Sequence, residues 1–505
     1  MRYLLGIDAG TSNVKAVLFD LAGAELCVAS RESETFRVEN NGVEQDMEAV
    51  WESVRACLAE VAARCPGECR ELAAIGVTGQ GEGFWAVDRE GKPVQRAPLW
   101  CDGRAVEEVA ELTERAPELG RLYHDTTATP PLTGNQLMLT LWMQRHRPEI
   151  LKRVHRVLFC KDWIRYRLTG TMATELTDSL TSLLDVRTYA PALELMRAIG
   201  IERGEALFPR PLRSDETAGT LTDALAEELG FPRGLPVIAG ALDTSATLIG
   251  LGVMRAGGSA VILGTTCACE VVEEKADCRF GAAGTRYEKH PLGDLFVDLQ
   301  PTLNGTPNID WMLDTLSPTR DFGEIDRMIE SARVGSSGVV YLPYIGLAGE
   351  RAPFYHPYAR AEFFGMSSIT TRADMIRAVY EGVSLSIRDC LAEAKGDGPV
   401  YLAGGGAKSP VWSQMIADVL NREVRIPDGA ELGAKGAALM AGVNQGLYSS
   451  YDEAAAQACS FRSVYHPDAG RAGKYALLYE LFRALRESND ALWTLRHRIN
   501  KQLKL

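Results

Sequence analysis

Three short turns along the chain combine glycine with hydroxyl groups, and each stands directly behind an apolar run. The first is Gly6-Ile7-Asp8-Ala9-Gly10-Thr11-Ser12, followed by Lys15. The second is Gly264-Thr265-Thr266, and the third Gly404-Gly405-Gly406-Ala407-Lys408-Ser409. Amides and hydroxyls gathered in such a turn can hold an anion. Lys15 can add positive charge, and Asp8 can hold a magnesium ion directly or through water. Asp243 is a further isolated acid, behind the apolar run Pro236-Val237-Ile238-Ala239 and in front of a helical stretch. A carboxylate at the mouth of a strand can accept the proton of an attacking hydroxyl. Turns suited to anions and isolated acids, without a thiol or metal cluster, point to phosphoryl transfer. That chemistry needs positioning and charge neutralisation more than covalent machinery. The familiar nucleotide loops are missing. Lys408 follows an alanine where a P-loop has glycine, and the glycines at 404–406 lack the dinucleotide spacing. Plain alternatives stand beside these readings: Asp8 as a turn residue in an ordinary hairpin, Asp243 as an N-cap, Lys408 and Ser409 as the start of a helix.

Periodicity predicts the elements that must position these groups. Apolar runs at 3–7 and 14–19 predict two strands around the first turn, and 25–30 a third. Asp46 precedes a helix in which Val50, Val54, Leu58 and Val61 share a face. Residues 72–77 form another apolar run, ending in Thr78-Gly79-Gln80-Gly81-Glu82-Gly83, and 84–88 and 94–100 are strand-like. Strands interrupted by helices make an α/β pattern. From 104 to about 235 the character shifts to helices, at 136–147 and 161–168, and long polar connections, as in an insertion that shapes a pocket. Residues 236–240 resume the sheet and 244–250 are helical. The second half restarts the alternation, with strands at 259–263, 339–342, 401–403 and 424–426 and helices at 375–391, 411–420 and 432–440. A charged terminal helix at 475–505 is expected to pack on the surface. Two halves, each with a strand running into a polar turn, predict a duplicated α/β unit with a cleft between.

The bulk composition narrows the partners. A length of 505 residues corresponds to roughly two to four domains. Hydrophobic residues at 46% and charged residues at 24% are those of a soluble globular protein. A net charge of −13 and a pI of about 5.2 argue against nucleic acid or an anionic membrane as the main partner. The start Met1-Arg2-Tyr3 leads into a short strand and then charge, so no signal peptide is read, and no run is long enough for a membrane helix. The eleven cysteines are scattered, Cys65/Cys69 and Cys267/Cys269 lack zinc-ribbon spacing, and the seven histidines do not cluster. Reduced thiols in a cytoplasmic protein are the expectation.

Taken together the motifs resemble the FGGY family of carbohydrate kinases, over nearly the whole chain. The likeness rests on the three turns above, on Gln80-Gly81-Glu82, Trp100-Cys101-Asp102-Gly103-Arg104 and Gly240-Ala241-Leu242-Asp243, and on a downstream signature running from Ala361 through Phe363, Gly365, Met366, Asp374, Met375 and Ala378 to Glu381. The resemblance implies an α/β fold of two actin-like, RNase H-like ATPase domains with a cleft between them. Residues 1–248 would carry sugar binding, the first phosphate turn and the catalytic base; residues 249–505 would carry the second phosphate turn and adenosine binding.

The resemblance also implies ATP and Mg2+, with Asp8 for the metal and Gly10, Thr11, Ser12 and Lys15 toward the phosphates. Asp243 matches the catalytic base, Gly264, Thr265 and Thr266 the second phosphate turn, and Gly405, Gly406 and Ala407 the adenosine turn. Gln80, Glu82, Trp100, Asp102 and Asp243 would contact the sugar. Carboxylates and amides suit a polyol because they accept or bridge hydroxyl hydrogens. Alternatives stay open here too: Glu82 as a solvated turn carboxylate, Trp100 as a core residue, Asp102 and Arg104 as an ion pair bracing a strand end. Thr244 stands where many relatives carry glutamine, Thr266 where serine is common, and Leu139 where a second signature expects lysine. Gly81-Glu82 replaces the Met-His of xylulose kinases. These departures, with Gly349-Glu350-Arg351-Ala352-Pro353-Phe354, are more like the L-xylulose kinase and erythritol kinase branch. The implied activity is phosphorylation of a terminal hydroxyl of a small ketose or polyol by a cytoplasmic homodimer, with no nucleic acid and no membrane. The rivals are an actin- or chaperone-like ATPase and a catalytically silent sugar sensor on the same fold.

Overall fold

The computed structural model describes residues 2–275, 286–392, 396 and 398–503. Its opening apolar runs form an antiparallel meander of β1 (Tyr3–Ala9), β2 (Asn13–Phe19) and β3 (Glu25–Glu32), in which Asp8 lies opposite Lys15. Helix α1 (Met47–Arg64) follows, and its cap Asp46 accepts the amides of Glu48 and Ala49 at 2.9 and 3.1 Å. That cap satisfies two of the donors a helix start leaves open. Val50, Val54, Leu58 and Val61 are buried, as their spacing predicts. Strand β4 (Leu72–Gly79) returns parallel to β1 on the side away from β2. Of the strand expected at 94–100, only Ala97–Pro98 is paired. Prolines at 93 and 98 remove the ladder donors a longer strand would need.

The chain then leaves this sheet and builds a helical layer with its own core. Helices α2 (Gln136–His146) and α3 (Cys160–Thr169) run within it. Leu137, Leu139, Met143, Phe159 and Leu195 are among the side chains this layer buries. Strands β5 (Thr217–Thr220), β6 (Pro236–Ile238) and β7 (Ala241–Leu242) bring the chain back, with β6 and β7 both parallel to β4. The spatial order is β5-β6-β4-β1-β2-β3. Helix α4 (Asp243–Leu251) leads into the second half.

There β8 (Ser259–Leu263), β9 (Cys267–Glu273), β10 (Arg286–Lys289) and β11 (Phe296–Thr302) make an antiparallel run. Helix α5 (Arg372–Ala392), β12 (Val400–Ala403), helix α6 (Pro410–Leu420) and β13 (Val424–Pro427) follow, with β12 parallel to β8 and β13 parallel to β12. Among the described residues the order is β10-β11-β9-β8-β12-β13, closed by a last strand, Phe461–Tyr465. Each half therefore turns its first strand into an antiparallel hairpin and pairs the other edge of that strand with a parallel crossover. The duplication expected from the sequence is present as topology.

The halves are joined by helix α7 (Leu432–Asn444), which belongs to the second half and lies on the sheet of the first. The approach is too close for side chains. A Cβ at Gly6 or Gly76 would stand 2.0 Å from the carbonyl oxygen of Ala434 or Ala437, and one at Gly436 would stand 1.8 Å from that of Ala246 on α4. Helix α8 (Ala469–Leu503) packs along the second half, burying Tyr475, Phe482 and Trp493 while Leu477 and Leu492 stay exposed. Residues 504 and 505 of the expected terminal helix lie outside the described residues.

Candidate active site

Because β1, β4 and β7 are parallel neighbours, their carboxyl ends open side by side. Thr78 of β4 pairs with Asp8 on one side and Ala241 on the other, and Gly79 pairs with Leu242. Asp8, the Gln80–Glu82 turn and Asp243 thus share one sheet edge, beside the point where the connections diverge. Open α/β sheets bind their ligands at such an edge.

Asp8 is hemmed in by α7, since a Cβ at Gly433 would lie 2.8 Å from its Oδ2. Burial pushes its carboxyl up to about 6, with the Lys15 ammonium pulling down and Glu431 pushing up. Lys15 does not stand free: its Nζ pairs with Glu431 Oε2 at 2.7 Å, from one half to the other. Gly10 and Ser12 follow at the rim, Ser12 exposed.

Thr11 turns toward Gln80 and Trp100. Its hydroxyl donates to Gln80 Oε1 at 3.0 Å and accepts the Trp100 indole N–H at 3.0 Å. Gln80 Nε2 donates to Gln45 Oε1 at 2.6 Å, and Gln45 donates to the Thr11 carbonyl at 2.7 Å, closing a ring of amides and hydroxyls. Trp100 is 48% exposed, which removes the core alternative for it. Glu82 is buried in the left-handed backbone region at φ 58°, where few residues other than glycine settle. Its carboxylate accepts both bonds from Asn135 Nδ2, at 3.1 and 3.3 Å, and lies 3.6 Å from Arg286. It is therefore not a solvated turn carboxylate. Burial raises its pKa, against the pull of Arg286.

Asp243 is the first residue of α4, one past the cap position, and its Oδ1 accepts the Thr244 amide at 2.8 Å. Burial pushes its carboxyl up to about 7, Asp8 adds to the push, the Thr244 amide opposes it, Glu288 adds a further push and Arg286 opposes. Asp102 needs a correction. It is fully buried, with Oδ1 taken by the amide and Nε of Arg104, both at 2.9 Å. Its Oδ2 is taken by Arg104 Nη2 and the Val43 amide, both at 2.8 Å. With every favourable direction filled, it braces the strand end and has no oxygen to offer a sugar.

On the other side, β8 and β12 are also parallel neighbours, so the second and third turns meet. Gly264 donates to the Thr266 carbonyl at 3.0 Å, and Thr265 and Thr266 are exposed. Gly404 has φ 91°, and a Cβ on it would lie 2.5 Å from the Leu263 carbonyl oxygen. Gly405 faces open space, while Gly406 and Ala407 are buried against Leu263 and Trp412. Ser409 caps α6, accepting the Trp412 amide at 3.1 Å, so the helix-start alternative holds for it.

Sequence reasoning missed the residues that β9 and β10 send into the site. Arg286 pairs with Glu288 at 2.7 Å, and Glu288 accepts the Thr244 hydroxyl at 2.5 Å. Glu270 is buried with both carboxylate oxygens unbonded among the described residues, and burial, Glu288 and Asp243 hold its pKa well above the carboxylate range. The signal was the alternation Arg286-Tyr287-Glu288, which puts two charges on one strand face.

Acids and amides on one parallel sheet edge, with glycine-hydroxyl turns on the matching edge of a second sheet of the same topology, define a two-domain α/β kinase fold. The chain belongs to the FGGY family of carbohydrate kinases: the model of the family's N-terminal domain matches residues 3–250 and that of its C-terminal domain residues 260–445. It is 32% identical to erythritol kinase from Brucella abortus, over 97% of this chain and 96% of that one. It is 28% identical to xylulose kinase from Bacillus subtilis, over 98% and 100%. The solved xylulose kinase from Rhodospirillum rubrum superposes with a TM-score of 0.87 at 25% identity, over 98% of this chain and 100% of that one. The protein is accordingly a sugar or polyol phosphotransferase that uses ATP. No helix among the described residues is long and apolar enough to cross a membrane.

Proposed function

We propose that this kinase moves the terminal phosphoryl group of ATP onto a terminal hydroxyl of a small uncharged ketose or polyol, with Asp243 as the proton acceptor. The observation that carries the reading is Asp243 itself. It stands at the strand edge with Gln80 and Glu82, and its carboxyl is pushed up to about 7 by burial and by Asp8. A base poised near the working pH is ionised often enough to act and basic enough to take the proton. Gln80, Glu82 and Trp100 would hold the acceptor by its hydroxyls and C–H face, and Asp102 would support their wall without touching it.

Thr265 and Thr266 would meet the phosphates, and the bare backbone at Gly405, Gly406 and Ala407 would meet the adenosine. The exposed hydroxyls and the open space beside Gly405 fit those groups. The hard oxygen donor Asp8 fits a magnesium ion, which when bound would neutralise phosphate charge. Lys15 supports that end of the cleft through its bond to Glu431. The acids beside Asp243, namely Asp8 and Glu288, together with Asp243 itself outweigh Arg286 there and disfavour a sugar acid by like-charge repulsion. Every cysteine among the described residues is free, which supports a reducing, cytoplasmic setting. L-Xylulose, xylulose and erythritol are the first substrates to test, since relatives are named for them. A coupled ADP assay across ketopentoses, tetritols, pentitols, glycerol and gluconate tests the reading. Turnover is expected with a neutral ketose or tetritol; turnover with gluconate alone, or ATP hydrolysis stimulated by peptides and by no sugar, contradicts it.

A further inference from the structure

Behind the site lies a cluster of five ionic side chains with no solvent exposure: Lys161, Asp162 and Arg165 on α3, with Glu175 at the end of the short strand Thr174–Glu175 and Asp178 in the one-turn helix Leu176–Ser179. The Lys161 ammonium bonds Asp178 and lies 3.4 and 3.5 Å from Glu175 and Asp162, and Asp162 pairs with Arg165 at 2.8 Å. Ion clusters of this kind are weak stabilisers, because desolvating the charges costs about what their attraction returns. What distinguishes this one is where its outer atoms go. Asp178 Oδ1 accepts the Glu82 amide at 3.3 Å and stands 2.8 Å from where a Cβ on Gly81 would be. Thr177, the neighbour of Asp178, accepts the Leu242 amide on its hydroxyl at 2.8 Å and donates that hydroxyl to Glu175 Oε2 at 2.7 Å. Arg165 donates to the Ala239 carbonyl at 2.9 Å. The cluster thus grips the backbone on both arms of the site: the turn that presents Glu82 in its left-handed conformation, and the strand whose next residue is Asp243.

We propose that this buried cluster is a strut setting Glu82 and Asp243 at a fixed separation, with Asp178 the positioning residue for the acceptor-binding arm and Thr177 the positioning residue for the base. The inference rests on the kinase reading above. Neither residue touches substrate, so each acts through the backbone it holds. Without the Asp178 carboxylate, the Glu82 amide is left buried without its partner and the left-handed turn loses its restraint. Without the Thr177 hydroxyl, the Leu242 amide loses its acceptor and the start of α4 is freed. The two arms should therefore fail differently, one in binding and the other in turnover.

Three variants test this by steady-state kinetics at 25 °C, with melting temperatures measured beside them. Asp178→Asn leaves one acceptor oxygen for two donors, the Lys161 ammonium and the Glu82 amide, and is expected to raise KM for the sugar about tenfold while KM for ATP stays within twofold, from the loss of one hydrogen bond. Thr177→Val is expected to lower kcat about five- to tenfold with a smaller change in sugar KM, and Thr177→Ser, which keeps the hydroxyl, to stay within twofold of wild type. Variants that melt earlier yet keep wild-type kcat and KM would reduce the cluster to a structural feature and overturn the proposal. Should Asp178→Asn fail to fold, the Thr177 pair decides alone: equal kcat in the valine and serine variants overturns it. A wild-type protein that phosphorylates no sugar would sink the kinase reading instead, an outcome separate from unchanged kinetics in an active enzyme.

Discussion

In the first sheet the ends of β1, β4 and β7 carry Asp8, Gln80 with Glu82, and Asp243, whereas in the second sheet the ends of β8 and β12 carry Gly264-Thr265-Thr266 and the glycines at 404–406. The frames are the same: a hairpin on one edge of the first strand and a parallel crossover on the other. The difference lies in what stands at the mouth of each frame. One edge is carboxylate and amide, with pKa values pushed up by burial; the other is backbone, hydroxyl and bare glycine. A duplicated fold has thus been divided by side-chain chemistry, and on the proposed reading the acceptor and its proton belong to one side and the nucleotide to the other. The insertion between β4 and β5 sharpens the contrast, since it supplies Asn135 to hold Glu82 and encloses the acid edge.

If the division holds, damage on each side should read out in its own kinetic constant. The largest effect is expected from Asp243→Asn, which removes the base and should lower kcat by about a thousandfold or more while ATP still binds by calorimetry. The same change should raise the melting temperature. With the folded carboxyl at about 7 and the unfolded one near 3.9, the folded state holds the proton more tightly. Its contribution to stability is therefore present at low pH and lost as pH rises toward and through 7. The gain on substitution should then be greater at pH 8 than at pH 5, and a scanning calorimeter can check the order.

Next comes Gly404→Ala on the nucleotide side. Its φ of 91° and the carbonyl 2.5 Å from the new Cβ force the turn to shift. KM for ATP should rise about tenfold, and stability should fall by about 1–3 kcal/mol, while KM for the sugar holds. Glu82→Gln on the acid side should do the converse, raising sugar KM severalfold with ATP KM unchanged, since the amide keeps only part of the acceptor capacity. The smallest effect is expected from Lys15→Met. Its bond to Glu431 is partly exposed, so urea unfolding should show a loss under about 1 kcal/mol.

Much of this frame was legible in the sequence because apolar runs ending in glycine-rich turns are local signals. Residues 3–7, 72–77, 259–263 and 401–403 lie within β1, β4, β8 and β12, and Asp46 marks the start of α1. The strands β9 to β11 were not legible. Glu270, Glu288, Asp298 and Gln300 interrupt them with charge and polarity, and only the fold shows that these residues are buried. Arg286 was missed for the same reason. Asp102 was misassigned because spacing does not reveal that Arg104 and Val43 fill its oxygens; the ion-pair alternative read beside it was the correct one. Lys15 shows a similar gap, since its partner Glu431 lies in the other half of the chain.

The central claim is that a carboxylate poised near neutrality on the acid edge takes the acceptor's proton. The most direct test is the pH dependence of kcat/KM for the sugar at saturating ATP. With Asp243 held at about 7, an acid limb is expected that rises with pH through that value and is absent from the residual activity of Asp243→Asn. A wild-type profile that stays flat down to pH 5, or the same limb in the variant, would contradict it.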